Sequence, residues 1–212
     1  MAAKDRLTYF NVYARGEPTR ILYALAGKEF EDKRIELEQW PAAKEEQPLG
    51  QLPVFECEKG TLVMSNTIAR YVAKGFGLAG KDAWEEALND QVMETCSDVF
   101  NEIPAKIYSW QVFKRVPEPE DSEKIKEEVK AKIVKSLNFI QKTAEKRGKK
   151  FIVDDKISLA DVWLYCSLVF GKAAFSDMME VTPWIKEFSQ KMEDDEVLKK
   201  YLAERKPSAL GI

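Results

Sequence analysis

The order of strand and helix signals in the first eighty residues constrains the fold of this chain most. Residues 6–11 (RLTYFN) and 30–37 have the apolar content of short strands. Between them, residues 17–26 carry apolar side chains at helical spacing and end before Gly27. A strand, a helix and a second strand in this order predict a parallel pair joined by a right-handed crossover.

A second group of signals adds a hairpin to that pair. Residues 54–57 and 61–64 are strand-like runs on either side of a Lys59-Gly60 turn, which predicts antiparallel pairing. A helical pattern follows at residues 68–72. The predicted N-terminal fold is therefore an α+β domain with the order βαβ-ββα.

Strand signals are nearly absent after residue 83. Helical spacing continues through residues 85–110 and 125–147, and residues 159–170 are apolar almost all round, as in a buried helix. Thr182-Pro183 and residues 197–202 mark two further helices. The remainder of the chain is therefore predicted to be all-α.

The string Ser158-Leu159-Ala160-Asp161 has the form of a capping box just before the buried helix. Ile157 precedes it and is placed to act as a hydrophobic staple. We interpret Asp161 as a residue that starts a helix and not as a catalytic acid.

Composition excludes several classes of protein. No apolar run approaches the length of a membrane helix, and the N-terminal residues lack the apolar segment of a secretory signal. The net charge of −3 gives no reason to expect nucleic-acid binding. We therefore expect a soluble cytoplasmic protein without membrane or nucleic-acid partners.

The absence of histidine from the sequence limits the chemistry that is possible. It excludes nucleophiles activated by histidine, zinc bound by histidine and imidazole acid–base catalysis. Cys57, Cys96 and Cys166 lack C-x-x-C spacing, so we predict buried free thiols and no metal site. No glycine-rich nucleotide motif occurs either. Any reaction must use tyrosine, lysine, arginine, carboxylates, cysteines or a bound cofactor.

Two features indicate a binding site for a peptide-like anion. Pro53 stands directly before the Val54-Phe55 run, which places it at a strand start or edge, with a cis bond one of the possibilities. Ser65-Asn66 stands just ahead of a helical pattern, where free N–H groups favour a carboxylate. An ordinary trans proline and an ordinary helix cap are the alternative reading of these two features.

Several strings together resemble the cytosolic glutathione transferases, and within them the sigma class. The resemblance covers residues 5–207, and its order and spacing agree with the two-part pattern. The strings that carry it are Tyr9-Phe10, Arg15-Gly16-Glu17, Trp40-Pro41-Ala42-Ala43-Lys44, Gln51-Leu52-Pro53, Met64-Ser65, Ile68-Ala69-Arg70-Tyr71, Asp98-Val99-Phe100 and Ser158-Leu159-Ala160-Asp161.

The resemblance implies a thioredoxin-like glutathione-binding domain over residues 1–80 and an all-helical domain over residues 84–212 that forms the electrophile pocket. It also implies a homodimer. Glutathione would be the substrate or the cofactor, with no metal, and the partner molecule would be a small apolar electrophile.

The resemblance also implies how the thiol of glutathione is activated. A free thiol has a pKa of about 8.5 and is mostly protonated at neutral pH. Tyr9 occupies the position of a tyrosine whose hydroxyl donates a hydrogen bond to the sulfur, which favours the thiolate. Arg15 would add positive potential beside the sulfur.

The same resemblance assigns the remaining parts of glutathione to residues of this chain. Backbone groups of Leu52, before Pro53, would pair with the cysteinyl unit as an added strand. The implied glutathione-binding residues are Trp40, Lys44, Gln51, Leu52, Pro53, Met64, Ser65 and Asp98. Trp40 and Lys44 would hold the glycyl end, Ser65 the γ-glutamyl carboxylate, and Asp98 of the second subunit the γ-glutamyl amine.

Met64 is a departure from the family pattern, which usually has glutamine at this position. A thioether cannot replace an amide donor, so we expect a weaker glutathione site that retains its main-chain contacts.

The second-substrate pocket and the reaction are less specified by the sequence. The resemblance suggests Val12, Tyr13, Ile107, Tyr108 and Tyr165 as pocket residues, with packing between domains as the alternative. Conjugation of electrophiles, hydroperoxide reduction and prostaglandin D isomerase activity all remain open. A weakly active crystallin-like or glutathione-binding protein is a further alternative. A thiol-disulfide reductase is disfavoured, because residues 11–17 contain no cysteine.

Overall fold

A computed structural model of the chain describes residues 4–209. The chain divides into two compact units. The first contains the described residues up to Ala79 and those from Glu193 onward, and the second is Gly80–Met192.

The first unit is built on a four-stranded mixed sheet with the strand order β2-β1-β3-β4. β1 is parallel to β2 and antiparallel to β3, and β3 and β4 form an antiparallel hairpin. The predicted βαβ-ββα order is confirmed. The strands are β1 (Arg6–Phe10), β2 (Glu31–Ile35), β3 (Val54–Cys57) and β4 (Gly60–Val63).

Helices complete this unit. The first follows β1 through a short turn and begins with Glu17-Pro18, where proline fits because the first-turn N–H has no helical partner. Leu7, Ile21 and Phe55 are fully buried and belong to the core of this unit. The helices are α1 (Glu17–Leu25), α2 (Trp40–Ala43), α3 (Ser65–Gly75) and, near the C-terminus, α9 (Glu196–Glu204).

The second unit is helical throughout its regular structure, as predicted. The apolar pattern at 85–110 predicted a single helix, but α4 ends at Phe100 and a π-helical segment occupies Pro104–Tyr108. Pro104 explains the break, because its ring clashes with the preceding turn and it has no N–H to donate. The helices are α4 (Ala83–Phe100), α5 (Ser109–Gln111), α6 (Ser122–Arg147), α7 (Leu159–Gly171) and α8 (Pro183–Glu193).

The predicted capping box at the start of α7 is present. Asp161 Oδ2 accepts hydrogen bonds from the Ser158 N–H at 2.8 Å and the Ser158 hydroxyl at 2.7 Å. Asp161 Oδ1 also accepts the Ile152 N–H at 2.9 Å. Ile157 is buried beside them. This buried cluster fixes the loop before α7 to the helix.

The C-terminal segment belongs to the first unit, whereas the sequence had led us to place everything after residue 84 in the helical domain. α9 packs against α1. Tyr201 and Arg205 both donate hydrogen bonds to Glu17. A helical pattern gives the apolar face of α9 but not its partner, so periodicity could not reveal this assignment.

Cysteine burial differs from expectation at one position. Cys96 and Cys166 are buried free thiols, but Cys57 is partly exposed, with its sulfur 3.8 Å from the Tyr71 hydroxyl. Throughout residues 4–209, the helices lack the combination of length and apolar character that crossing a bilayer requires.

Candidate active site

Sheet register brings three of the predicted site segments to one end of the sheet. Thr8 pairs with Val54, and Val54 pairs with Val63. One residue further along each of these strands stand Tyr9, Pro53 and Met64. Because neighbouring strands are about 5 Å apart, these residues lie side by side across β1, β3 and β4.

The Tyr9 hydroxyl is held by the turn that follows β1. The Arg15 N–H donates to Tyr9 Oη at 3.2 Å. Burial raises the pKa of Tyr9, against the opposing effects of the Arg15 N–H and the nearby positive charges, so the phenol stays neutral. A hydroxyl that accepts one hydrogen bond keeps its own proton for donation. Tyr9 is therefore arranged as a hydrogen-bond donor and not as a base.

Gly16 is a site residue for which the sequence analysis predicted no role. A Cβ atom at this position would lie 2.5 Å from Tyr9 Cδ1 and 2.8 Å from its Cγ, which is closer than real contacts allow. Gly16 therefore permits the turn to pass directly over the Tyr9 ring. Its place in the Arg15-Gly16-Glu17 string was the available signal.

The backbone at Leu52 lies outside the regular pairing of the sheet. The Leu52–Pro53 peptide bond is cis, and the sheet pairing of β3 begins only at Val54. Pro53 is buried, whereas Leu52 is partly exposed. Among residues 4–209 the backbone N–H and C=O of Leu52 have no backbone partner. β3 is an internal strand of the sheet. The open edge is therefore the segment at Leu52 that precedes β3, and not β3 itself.

Ser65 and Asn66 are the first residues of the helix next to this edge, as predicted. Met64, and not Ser65, is the N-cap residue of α3, with φ 72° and ψ 116°. Ser65 is the first helical residue and is buried, and no side chain caps the helix. Positive φ at a non-glycine residue is a strained conformation of the kind found at ligand sites. The Met64 side chain is 56% exposed.

Trp40 and Lys44 lie on the short helical segment between β2 and β3. The Trp40 ring packs edge-on against Phe10 at 5.0 Å between centroids. A Cβ at Gly50 would lie 3.4 Å from Lys44 Cε, which places the lysine stem beside the segment that leads to Gln51. Within the described chain neither the Trp40 indole N–H nor the Lys44 ammonium has a hydrogen-bond or ionic partner. These two donors suit a carboxylate.

The remaining predicted residues are placed as follows. Arg15 is exposed on the turn, Gln51 is exposed before Leu52, and Asp98 is exposed on α4. Val12 is buried after β1, and the Tyr13 ring lies under the Arg205 guanidinium, 3.7 Å from the guanidinium carbon to the ring centroid.

Three predicted pocket residues lie in the second unit and are buried there. Ile107 and Tyr108 belong to the π-helical segment, and Tyr165 belongs to α7. The Tyr108 hydroxyl donates to the Phe170 carbonyl, which anchors this side chain within the helical unit.

A buried ionic cluster below the turn was not predicted. Arg20 is 1% exposed and Glu17 is 3% exposed, and they pair at 3.2 Å. Arg20 also pairs with Asp32 at 3.0 Å, and Arg205 pairs with Glu17 at 2.7 Å. The spacing of Glu17 and Arg20 on an otherwise apolar helix was the available signal. Nothing local marks Arg205.

Residues 4–209 contain no group of three or more cysteine, aspartate or glutamate side chains arranged to hold a metal ion. The site consists of neutral donors, backbone groups and two cationic side chains.

Comparison with known proteins identifies the family of this chain. Residues 5–74 match the family described as "Glutathione S-transferase, N-terminal domain", and residues 105–205 match "Glutathione S-transferase, C-terminal domain". Glutathione S-transferase 1 of Ascaris suum is 32% identical over 201 residues, which cover 94% of this chain and 96% of that protein. Glutathione S-transferase of Anopheles gambiae is 35% identical over 207 residues, with the same two coverages of 94% and 96%.

A solved structure is also similar to this chain in its three-dimensional fold. A nematode-specific GST of Caenorhabditis elegans superposes with a TM-score of 0.87 at 31% identity, covering 99% of this chain and 100% of that one. The thioredoxin-like and helical parts predicted from the sequence are confirmed by these matches. The chain belongs to the glutathione S-transferase family.

Proposed function

We propose that this protein binds glutathione along the edge formed by Leu52, Ser65 and Trp40, activates its thiol as a thiolate and adds it to apolar electrophiles. The observation that carries the proposal is the Tyr9 hydroxyl. It is buried at 5% exposure, neutral, and already accepts the Arg15 N–H, so its remaining hydrogen is available to the sulfur.

The binding edge matches glutathione group by group. The free N–H and C=O of Leu52 pair with the cysteinyl backbone, as peptide strands add to an open edge. The uncapped start of α3 and the Ser65 hydroxyl receive the γ-glutamyl carboxylate, because helix N-termini favour anions. The Trp40 indole N–H and the Lys44 ammonium receive the glycyl carboxylate. Gln51 flanks the cysteinyl segment.

The reaction needs only the thiolate and an electrophile. Tyr9 donates a hydrogen bond to the sulfur and lowers the pKa of the thiol, while Arg15 adds positive potential. The sulfur lone pair forms a bond to the electrophilic carbon, and the electron pair of the broken bond leaves with the departing group. In an addition to a conjugated carbonyl, the electron pair moves to oxygen and solvent supplies the proton.

Reduction and isomerisation would use the same thiolate, so they stay alternatives within one site. A structure of prostaglandin synthase D from Nilaparvata lugens is 30% identical to this chain, with a TM-score of 0.78. The similarity to that structure does not favour isomerisation over conjugation as the reaction of this protein. A panel with a halogenated aromatic, a hydroperoxide and a prostaglandin endoperoxide separates the three reactions.

The assignment of this protein to one class within the family is also part of the proposal. The quoted strings favour the sigma class, and a sigma-class structure from Fasciola hepatica superposes with a TM-score of 0.81 at 26% identity. A Nu-class structure from Haemonchus contortus, at 29% identity and a TM-score of 0.78, supports the competing assignment. Placement in a tree that contains both classes decides between them.

We further propose a homodimer in the cytoplasm. Asp98 of the second subunit would approach the γ-glutamyl amine. Three free cysteines and the use of glutathione suit a reducing compartment.

The test is the ultraviolet absorption of the thiolate of bound glutathione, titrated with pH in the wild type and in Tyr9→Phe. We expect a thiol pKa about two units below 8.5 in the wild type and a return toward 8.5 in the variant, since two units correspond to roughly 2.7 kcal/mol. At about pH 6.5, kcat/KM for an aryl halide should fall at least tenfold. Because Tyr9 itself stays neutral, the profile reports the thiol alone. A wild type without a thiolate band would refute the proposal.

A further inference from the structure

The Arg15 N–H that holds Tyr9 belongs to a short turn whose two ends are Tyr13 and Glu17. The N–H groups of Gly16 and Glu17 both donate to the Tyr13 carbonyl, at 3.2 and 2.9 Å. The direction of the Arg15 N–H therefore depends on how Tyr13 and Glu17 are held. Within residues 4–209, neither of these two residues is hydrogen-bonded to Tyr9 Oη.

One side chain contacts both ends of this turn. The guanidinium carbon of Arg205 lies 3.7 Å from the Tyr13 ring centroid, and Arg205 Nη1 donates to Glu17 Oε1 at 2.7 Å. A planar guanidinium is suited to stacking on an aromatic face while donating within its own plane. Arg205 thus bridges the first and last residues of the turn.

The Glu17 carboxylate that Arg205 contacts is buried. Glu17 is 3% exposed, and its carboxylate also accepts from the Tyr201 hydroxyl at 3.0 Å and from Arg20 at 3.2 Å. Burial opposes the charge of Arg205, but the hydrogen bond and charge of Glu17 outweigh it and raise the pKa of Arg205. A buried carboxylate must keep its partners, because an unpaired buried charge is costly.

The segment after α9 follows the same loop. The Ala209 N–H donates to the Asn11 carbonyl at 2.8 Å, and Arg34 donates to Asn11 Oδ1 and to the Lys206 carbonyl. The described C-terminal segment therefore runs along the residues that lead from β1 into the turn. Its position makes Arg205 part of the surroundings of the site, although it is 188 residues from Glu17 in sequence.

We propose that Arg205 is a positioning residue: by bridging Tyr13 and Glu17 it directs the Arg15 N–H to the Tyr9 hydroxyl and so increases the thiolate fraction of bound glutathione. The inference rests on the proposed function of Tyr9. It adds a residue from the segment after α9 whose described contacts are with Glu17 and Tyr13 and not with the Tyr9 hydroxyl. Glu17 acts with it, and Tyr201 supports Glu17.

The experiment compares Arg205→Ala with Lys206→Ala. The control removes the same charge from the next residue, whose side chain is exposed and, within the described chain, is not hydrogen-bonded to the turn. For each full-length variant, the thiol pKa of bound glutathione is titrated by its thiolate absorption, and the glutathione Kd is measured by calorimetry. Arg205→Ala should raise the thiol pKa by about one unit, which lowers the thiolate fraction up to tenfold below that pKa. Measured at about pH 6, where bound glutathione is mostly the thiol, the Kd should change less than twofold, and Lys206→Ala should match the wild type.

A merely structural role predicts a different result. In that case Arg205→Ala lowers the melting temperature and leaves the thiol pKa at the wild-type value, which would overturn the inference. If Arg205→Ala does not fold, Arg205→Lys carries the test, because lysine keeps a charge for Glu17 and loses the flat contact with Tyr13. An unchanged thiol pKa in that variant also overturns it, and a smaller upward shift supports it. A wild type without a thiolate band defeats the proposed function itself, so the two failures are distinguishable.

Discussion

Tyr9 derives its chemistry from groups that a sequence pattern does not display. Its position near the end of the first strand was predictable, and so was a donor role. Its burial and the Arg15 N–H that occupies one side of its oxygen depend on how the turn returns over the ring. Gly16 makes that return possible, because any side chain there would overlap the Tyr9 ring.

At Met64 the sequence identified a departure from the family pattern. The structure shows how the backbone at this position can contribute to the site with a methionine side chain. The residue caps α3 through its backbone at φ 72°, while its side chain is largely exposed. The main-chain contribution to the site therefore does not require glutamine. Only a side-chain contact to the γ-glutamyl group is lost.

We expect Met64→Gln to strengthen glutathione binding roughly threefold to tenfold, since a recovered hydrogen bond contributes about 0.5 to 1.5 kcal/mol. Calorimetry on the full-length protein measures the change. Met64→Leu is the matched control, because it keeps an apolar side chain on the same backbone and should bind as the wild type does. Unchanged or poorer binding by Met64→Gln would contradict the prediction.

At the scale of elements, local sequence signals predicted most of the helices and strands. The strand order and pairing, the start of α7 and the buried character of that helix follow from periodicity and capping. Two helix boundaries differ from those that the apolar pattern indicates. Pro104 interrupted a pattern that looked continuous, and the first helical residue of α3 was one position earlier than a Ser65 cap would give.

The capping box of α7 leads to a stability prediction. Asp161→Ala would leave the buried N–H groups of Ile152 and Ser158 without their acceptor, at about 1–3 kcal/mol each. We expect the free energy of unfolding in urea to fall by about 2–5 kcal/mol. Ser158→Ala, which loses only the hydroxyl, should cost about 1 kcal/mol. Asp155→Ala, an exposed aspartate in the same loop, should cost less than about 1 kcal/mol. Equal losses for Asp155→Ala and Asp161→Ala would refute the assignment.

At the scale of the whole molecule, no sequence pattern indicates that the C-terminal segment belongs with the first unit. Long-range partners such as Glu17 and Arg205 leave no local trace, because each looks like an ordinary charged residue of its own helix or loop. The candidate site was predicted largely by resemblance, and its binding residues lie in the first unit apart from Asp98. The supporting cluster required three-dimensional structure.

The oligomeric state is the remaining question at this scale, and Asp98 tests it. One relative at 33% identity, from the hookworm Necator americanus, is described as monomeric, so family membership alone does not decide the question. Asp98 lies exposed on α4 in the second unit. Our proposal has it act across a dimer, at the glutathione bound to the other subunit.

We expect sedimentation to show a dimer and Asp98→Ala to raise the glutathione Kd roughly fivefold, because an exposed ionic contact contributes about 1 kcal/mol or less. The variant should remain dimeric, and Glu94→Ala, one helical turn earlier on α4, should bind glutathione as the wild type does. Dilution below the dimer dissociation constant should weaken binding by the wild type toward the level of Asp98→Ala and leave that variant unaffected. If the protein is a monomer at every concentration and Asp98→Ala binds normally, Asp98 has no part in the site, and Tyr9, Leu52 and Ser65 hold glutathione without help from a second subunit.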